Sequence, residues 1–575
     1  MPPEKEQFEA IESILALDCG SVFTRAVLVD KVEGSHRLVA CGEALSHAGS
    51  DSDLVSAARQ AISQVEDITG RTLLSERGVP LSPERQDGSG VDAVLLTLSA
   101  APPLRVWLAG LVEEMSLDSG RRACQSPYVV VQEVLSLVDS RRWGEIGSLA
   151  ERLQSSRPDA ILLVGGTDQG AERPIRQGLE ALTLAALALG ESDRPLLLYA
   201  GNSKLQVQVQ ETVVNLLPVE MVDNVRPSAH EERLGPAQAA LESFYLQGGR
   251  TANRAIETLE GWAARPSQTT ARALGHTVRY LAQQAGMNVL ALDLGGSAAT
   301  VAAQHGPAFT LSSFPGLGMA AAAAQTEGET LRRLAEWLPN EMPAADIHTA
   351  LAALASHPFS MAQTGRELQV EQALAREQMT LALQQAEVAQ GQDWDLILGC
   401  GGFLAHLPRP SQAALALLDA VQPHGVSILA LDHTALGPAL GTLATLHPLA
   451  AAQVLEQDAF LKLGTVVSVA RQGRVGDLAL RVKVNYANGE TLSVEVHAGS
   501  LEVIPLPLNE RAELELRPGR GFALGRDGKR RPAKVRADGG VLGVIVDARG
   551  RPLRLPSDTG ARRQRVQEWL WALGA

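Results

Sequence analysis

The stretch from Ile14 to Asp30 reads ILALDCGSVFTRAVLVD, and from Asn288 to Ala303 the chain reads NVLALDLGGSAATVAA, so an apolar run closing on Ala-Leu-Asp before a glycine is written twice. Each run is apolar without alternation, which suits a strand buried on both faces. Each ends at an acid, Asp18 or Asp293, placed at a strand terminus. Beyond Asp18 stand Cys19, Gly20 and Ser21; beyond Asp293 stand Leu294, Gly295, Gly296 and Ser297. Turns this small let backbone amides approach an anion closely. Either copy alone reads equally well as an ordinary strand-to-turn junction of an α/β protein. The repetition points to a duplicated half-domain.

A carboxylate beside an amide-lined turn repels phosphate unless a divalent cation lies between them. Two such turns facing each other clasp a magnesium nucleotide, with Asp18 and Asp293 on the metal side and the glycine turns on the phosphates.

At 575 residues the chain is too long for one core and predicts two to four domains. A net charge of −14 argues against nucleic-acid binding and against attachment to an anionic membrane. The N-terminal MPPEKEQFEAIES is polar and acidic, and runs such as ALTLAALAL stop short of a bilayer span, so a cytoplasmic protein is expected. Cys19, Cys41, Cys124 and Cys400 show no metal-ligand spacing and read as reduced, inert thiols.

The first copy continues through RAVLVD and RLVACGEA, a predicted three-stranded antiparallel meander, followed by a helix from Asp53. From Pro158 the segments PDAILLVGGTDQG, PIRQGLEALTLAALALG and PLLLYAGNS read as a parallel βαβ unit with glycine turns at both strand ends. Helical sequence leads into the second copy and follows it to about Gln390, where DLILGCGGFLAHLP supplies a third strand and glycine turn, Gly399, Gly401 and Gly402. From Leu461 short alternating runs with Gly, Asn-Gly and Pro turns predict a separate all-β domain, closed by a helix at RRQRVQEWLWALGA.

The order Asp-x-Gly-Ser-x-x-Thr, Asp-x-Gly-Gly-Ser, then Gly-x-Gly-Gly resembles the two phosphate motifs and the adenosine motif of the actin, Hsp70 and sugar-kinase superfamily. More closely, DCGSVFTRAVLVD, LSAAPPLRVWLAGLVEEMSLDSGRRA, PDAILLVGGTDQG, LLYAGNSK and VDNVRPS are similar to the glutamate mutase accessory protein family (GlmL or MutL), in that family's order over residues 14 to 228, with a weaker match to about Pro448. The resemblance implies an α/β fold, a duplicated actin-like (ribonuclease H-like) ATPase core with a nucleotide cleft; the small C-terminal all-β domain and terminal helix, read from their own pattern, lie outside it. The chain then divides into a first actin-like half at 1–285 with an inserted α/β segment, a second half at 286–456, and, from the strand pattern, the C-terminal domain at 461–575. The resemblance implies ATP and Mg2+ as cofactors, with Asp18 and Asp293 holding the metal through water. It places Gly20, Ser21, Thr24, Arg25, Gly165, Gly166, Thr167, Gly295, Gly296, Ser297, Gly399, Gly401 and Gly402 around the nucleotide.

The resemblance further implies a weakly hydrolysing, chaperone-like accessory protein whose partner is an adenosylcobalamin-dependent mutase or a related enzyme. The chain lacks the D-x-H-x-x-G motif of a cobalamin binder, so it is not itself the mutase. It also departs from the family at Ser99–Leu104, where prolines replace a flexible Gly-Gly, and at Ser312–Gly318. A sugar-type kinase and a non-catalytic actin-like scaffold stand as alternatives. Counting back from Asp293 makes His276 a candidate for orienting water, or a structural histidine of its helix. Asp168 and Asn202 read as ligands or as helix N-caps. Arg517, Arg520, Arg526, Lys529, Arg530, Arg531, Lys534 and Arg536 form a basic stretch, either a partner surface or solvated loop charge.

Overall fold

The computed structural model describes residues 11–46, 51–125, 128–138, 146–250, 253–470, 473–525 and 532–575. The first apolar run forms β1 (Ile14–Cys19), which continues into β2 (Phe23–Val32) and β3 (Ser35–Leu45) as the expected antiparallel meander. On its other side β1 pairs in parallel with β4 (Ala93–Leu98). The second run repeats this. β11 (Val289–Leu294), β12 (Ala298–His305) and β13 (Ala308–Pro315) form a meander, and β14 (Leu396–Cys400) lies parallel to β11. The registers are equivalent: Asp18 stands opposite Arg25 and Thr97, and Asp293 opposite Thr300 and Cys400. This shared order of three antiparallel strands and one parallel strand is the duplicated actin-like core.

Between β4 and β10 (Gln268–Thr269) lies an inserted parallel sheet of order β6 (Val129–Ser136), β5 (Leu104–Gly110), β7 (Ala160–Gly165), β8 (Leu196–Gly201), β9 (Val219–Met221). The helix Arg173–Leu187 joins β7 to β8, the βαβ unit read from the sequence. The two halves meet where the helix Thr270–Ala285 crosses the helix Leu436–Leu446. A Cβ on Gly441 would overlap the carbonyl of Ala273, so backbone touches backbone there, and the Thr277 hydroxyl donates to the Gly437 carbonyl at 2.6 Å. That crossing fixes the floor between the halves.

The C-terminal region holds the expected small all-β domain with its terminal helix and is also joined to the second half. An all-antiparallel sheet is present, of order β18 (Thr491–His497), β17 (Leu478–Tyr486), β20 (Arg511–Pro518), β21 (Ala533–Asp538). The region is nevertheless not a detached unit. β16 (Leu461–Ser468) pairs with β15 (Gly425–Leu431), β22 (Gly543–Asp547) pairs with β16, and β19 (Leu501–Ile504) with β22, so the sheet of the second half runs on to eight strands. An alternating run looks the same in either context, whereas the open edge of β15 needs a partner. The terminal helix Thr559–Leu573 buries Val566, Trp569, Leu570 and Leu573 in the same core as Leu415 and Leu418, while Trp571 stays exposed.

A buried ion network ties these parts together. Asp419 accepts from Arg376 and Arg549 at 2.6 Å each, and Asp547 accepts from Arg549 at 2.9 Å and Arg551 at 2.6 Å, all with side chains at most 4% exposed. The two arginines beside Asp547 hold its carboxyl far below the usual range despite burial. Replacing one acid leaves guanidinium charge in a dry interior, so Asp547→Ala should cost about 3–5 kcal/mol. The check is the thermal unfolding midpoint, which should fall by several degrees; an unchanged midpoint would mean the network carries no net stability.

All four cysteines are free, and burial pushes the thiols of Cys19, Cys124 and Cys400 up, as inert residues require. Of the basic stretch, Arg526, Lys529, Arg530 and Arg531 lie outside the described residues. Lys534 bridges Glu513 at 2.9 Å and Glu515 at 3.6 Å, and Arg517 lies 3.8 Å from Glu515, so this part of the charge is matched by its own sheet. Among the described residues no helix is long and apolar enough to cross a membrane.

Candidate nucleotide cleft

The ends of β1 and β11 face each other across the gap between the halves. In the first turn the Gly20 amide donates to the Phe23 carbonyl at 3.0 Å, and in the second the Gly295 amide donates to the Ala298 carbonyl at 3.0 Å, the same hairpin closure twice. The turns touch: a Cβ on Gly296 would lie 2.3 Å from Val22 Cγ2 and 3.3 Å from Ser21 Oγ. Gly401, at φ +94, packs its Cα side against Asp293 Oδ1 and the Leu294 carbonyl, where any Cβ would sit about 2.5 Å from both. The cleft therefore gathers Asp18, Gly20, Ser21, Arg25, Asp293, Gly295, Gly296, Ser297, Gly401 and Gly402. Its cavity is about 300 Å³.

Three predicted groups fall elsewhere. Gly165, Gly166 and Thr167 stand at the carboxyl end of β7, in the inserted sheet, and do not line the cleft. Gly166 is pressed against the Ala171 carbonyl and Asn202, and Asp168 Oδ1 accepts from Asn224 Nδ2 at 2.9 Å and the Ser203 amide at 3.1 Å, so these turns hold one another. Asn202 caps the turn after β8 by accepting from the Lys204 amide. Thr24 is buried against Ser46, and Gly399 against Leu417 and Leu404, both behind the cleft wall. His276 lies on the far face of the helix Thr270–Ala285, lining a different cavity. It is the first turn of that helix that enters the cleft, through Thr270.

Other side chains were not read from the sequence. The hydroxyls of Thr97 and Thr270 both donate to Asp18 Oδ1 at 2.7 Å. Asp432, at the end of β15, accepts from the Leu436 and Gly437 amides at 2.8 Å each and lines the cleft as a third acid. Its signal was present: Ile428–Asp432 spells ILALD, identical to Ile14–Asp18, but a helix rather than a glycine turn follows. Glu43 of β3 receives Arg25 Nε at 2.5 Å and His406 Nε2 at 2.8 Å, bridging the two halves at the cleft mouth, where His406 also stacks on Phe23.

The electrostatics are unbalanced. Burial raises the Asp18 carboxyl; burial, Asp18 and Asp432 push Asp293 up to about 7; burial pushes Asp432 up to about 6. Against three acids stands Arg25, whose Nη2 is buried without a partner among the described residues. Such a site is short of positive charge, which fits a divalent cation. No group of three or more His, Cys, Asp or Glu side chains among the described residues has metal-ligand geometry. A cation here fits as one held through water and ligand oxygens rather than by a protein cage.

Known structures share low likeness with the chain. Acetone carboxylase in its nucleotide-free form is 12% identical over 85% of this chain and 81% of its own, at a TM-score of 0.35. Component A of (R)-2-hydroxyglutaryl-CoA dehydratase from Acidaminococcus fermentans is 8% identical over 77% and 96%, at 0.25. The activator of 2-hydroxyisocaproyl-CoA dehydratase from Clostridium difficile, with bound ADPNP, is 10% identical over 77% and 97%, at 0.27. The fold itself rests on the duplicated strand order. No curated protein sequence matches the chain. The family described as MutL protein matches residues 14–459, a span that holds both acidic turns, the inserted sheet and Asp432, and the chain belongs to that family.

Proposed function

We propose that the chain binds Mg-ATP between its halves, hydrolyses it weakly, and uses the resulting opening and closing to act as a chaperone-like accessory to an adenosylcobalamin-dependent mutase or related enzyme. The observation that carries the reading is the meeting of the Asp18 and Asp293 turns with Gly401 and Gly402 in one cleft rich in uncompensated acid. The amides of Gly20, Ser21 and Gly295–Ser297 offer donors to phosphate oxygens, and Arg25 Nη2 offers a further one. Asp18, Asp293 and Asp432 would hold the magnesium ion through its waters; when bound, that ion supplies counter-charge for the acids and the phosphates. The family supports the partner, and the cleft supports the nucleotide.

Calorimetric titration with ATP, with and without magnesium, tests the binding, and ADP formation tests turnover. Saturable, magnesium-dependent binding is expected. Release of ADP that rises only on adding a small hydroxylic substrate would favour a kinase instead, and capture of a mutase that responds to nucleotide would support the accessory role.

The bridge at the mouth adds a pH dependence. The hydrogen bond to Glu43 raises the His406 imidazole above its ordinary value, and although burial works to raise Glu43, His406 and Arg25 hold it low. A raised histidine contributes its closure fully below its ordinary value and loses it as pH climbs through the raised one. Release of a fluorescent ATP analogue should therefore quicken as pH rises above the ordinary imidazole value of 6.5 and through the raised one. Glu43→Gln should release quickly throughout; a variant that keeps the slope would sink the bridge.

A further inference from the structure

The helix Thr270–Ala285 presents a second polar face away from the cleft. Arg272, His276 and Arg279, spaced at four and three residues, lie along one side of it. They line a cavity of about 660 Å³ with Arg122 of the inserted unit and Phe309 and Leu311 of β13. That size falls within the range of small-molecule sites. None of these residues lines the nucleotide cleft.

The charges in this cavity are not closed among themselves. Arg122 is paired with Glu232 at 2.6 Å and Arg272 with Glu242 at 2.5 Å. Arg279 has no hydrogen-bonding or carboxylate partner among the described residues; its guanidinium lies over the Phe309 ring at 3.8 Å, which leaves its N–H groups free. The Nδ1 of His276 is buried and also without a partner among the described residues. Glu387 is the acid on the wall. Burial and the neighbouring arginines lower the His276 ring below its ordinary value, which favours the neutral form that donates from one nitrogen.

We infer that this cavity is a second binding site, for a small organic anion bearing a carboxylate or phosphate group and an apolar portion. Arg279 and His276 receive the anionic group, and Phe309 and Leu311 receive the apolar part. The walls come from both halves and from the inserted unit, and the helix that carries the two polar residues also holds Asp18 through Thr270. Occupancy of this cavity therefore bears on the same helix that lines the nucleotide cleft.

The test is calorimetric titration of the full chain at low salt with citrate and with inorganic phosphate. The variant is Arg279→Gln, whose exposed side chain can be changed without opening the core, and saturating Mg-ATP serves as the competitor that occupies the cleft. Saturable binding of at least one anion is expected. Arg279→Gln should weaken it by about tenfold or more, the loss for one charge-assisted hydrogen bond, and saturating Mg-ATP should not displace the anion. Absence of heat with both anions, or binding that survives Arg279→Gln, or binding displaced by saturating Mg-ATP, would each overturn the site. Because the nucleotide cleft is lined by neither Arg279 nor His276, failure here leaves the Mg-ATP reading untouched.

Discussion

Deleting Leu461–Ala575 should yield an insoluble chain rather than a free nucleotide-binding core. Three separate supports go at once. β15 loses β16 and becomes a bare apolar edge, buried in the intact protein. Asp419 keeps Arg376 but loses Arg549, and the floor of the sheet loses Asp547 and Arg551. The helix Pro410–Val421, buried on every side, loses the terminal helix that covers it, including the Ser411 hydroxyl bond to the Gly574 carbonyl at 2.9 Å. Val566, Trp569, Leu570 and Leu573 alone bury about 1.5–3 kcal/mol each. Their sum is comparable to the whole margin of a folded domain, about 5–15 kcal/mol. Sedimentation of the truncated chain after expression decides it, and a soluble fragment that still binds ATP would restore the separate-domain view.

That expectation could not be reached from the sequence, and the reason is physical. A period of two tells which face of a strand is wet and says nothing of which strand lies beside it. LGTVVSVA reads the same as the first strand of a new sheet or the sixth of an old one. The acidic turns were legible for the opposite reason: an unbroken apolar run, an acid and two small residues already specify a buried parallel-type strand ending at an anion-compatible turn. Asp18, Asp293, Gly401 and Gly402 met in space accordingly. His276 failed because counting along a helix fixes a distance, not a face. The Thr269–Thr270 pair was the better signal, since Thr269 caps the helix by accepting from the Arg272 amide and so sets Thr270 beside Asp18. The Gly-Gly-Thr-Asp turn failed because glycines at φ +124 and +70 serve close packing as readily as ligand approach. The same holds for Gly296, where Val22 occupies the space a larger residue would need, so Gly296→Val would part the two turns and report on their contact rather than on phosphate.

The sharpest separation of a working cleft from a structural one comes from Asp293→Asn. Its carboxyl has been pushed from 3.8 up to about 7 by burial and by Asp18 and Asp432. A carboxyl raised in the folded state destabilises that state as it ionises, so the empty wild-type protein should lose stability as pH rises from the ordinary carboxylate value toward about 7. Asn removes the charge at nearly the same volume. The empty variant should therefore melt no lower than wild type at neutral pH, and its melting point should be flatter with pH. Magnesium binding should move the other way, since a residue holding an ion through its waters typically contributes about 10–100-fold to affinity. Asp18→Asn should share the loss of magnesium affinity but not the gain in stability, because Asp18 accepts from Thr97 and Thr270 and an amide satisfies them less well. Thermal shift with and without Mg-ATP reads both effects in one experiment. If Asp293→Asn lowered the melting point of the empty protein and kept Mg-ATP affinity within about twofold of wild type, the acid would be a structural group and the magnesium clasp would be wrong.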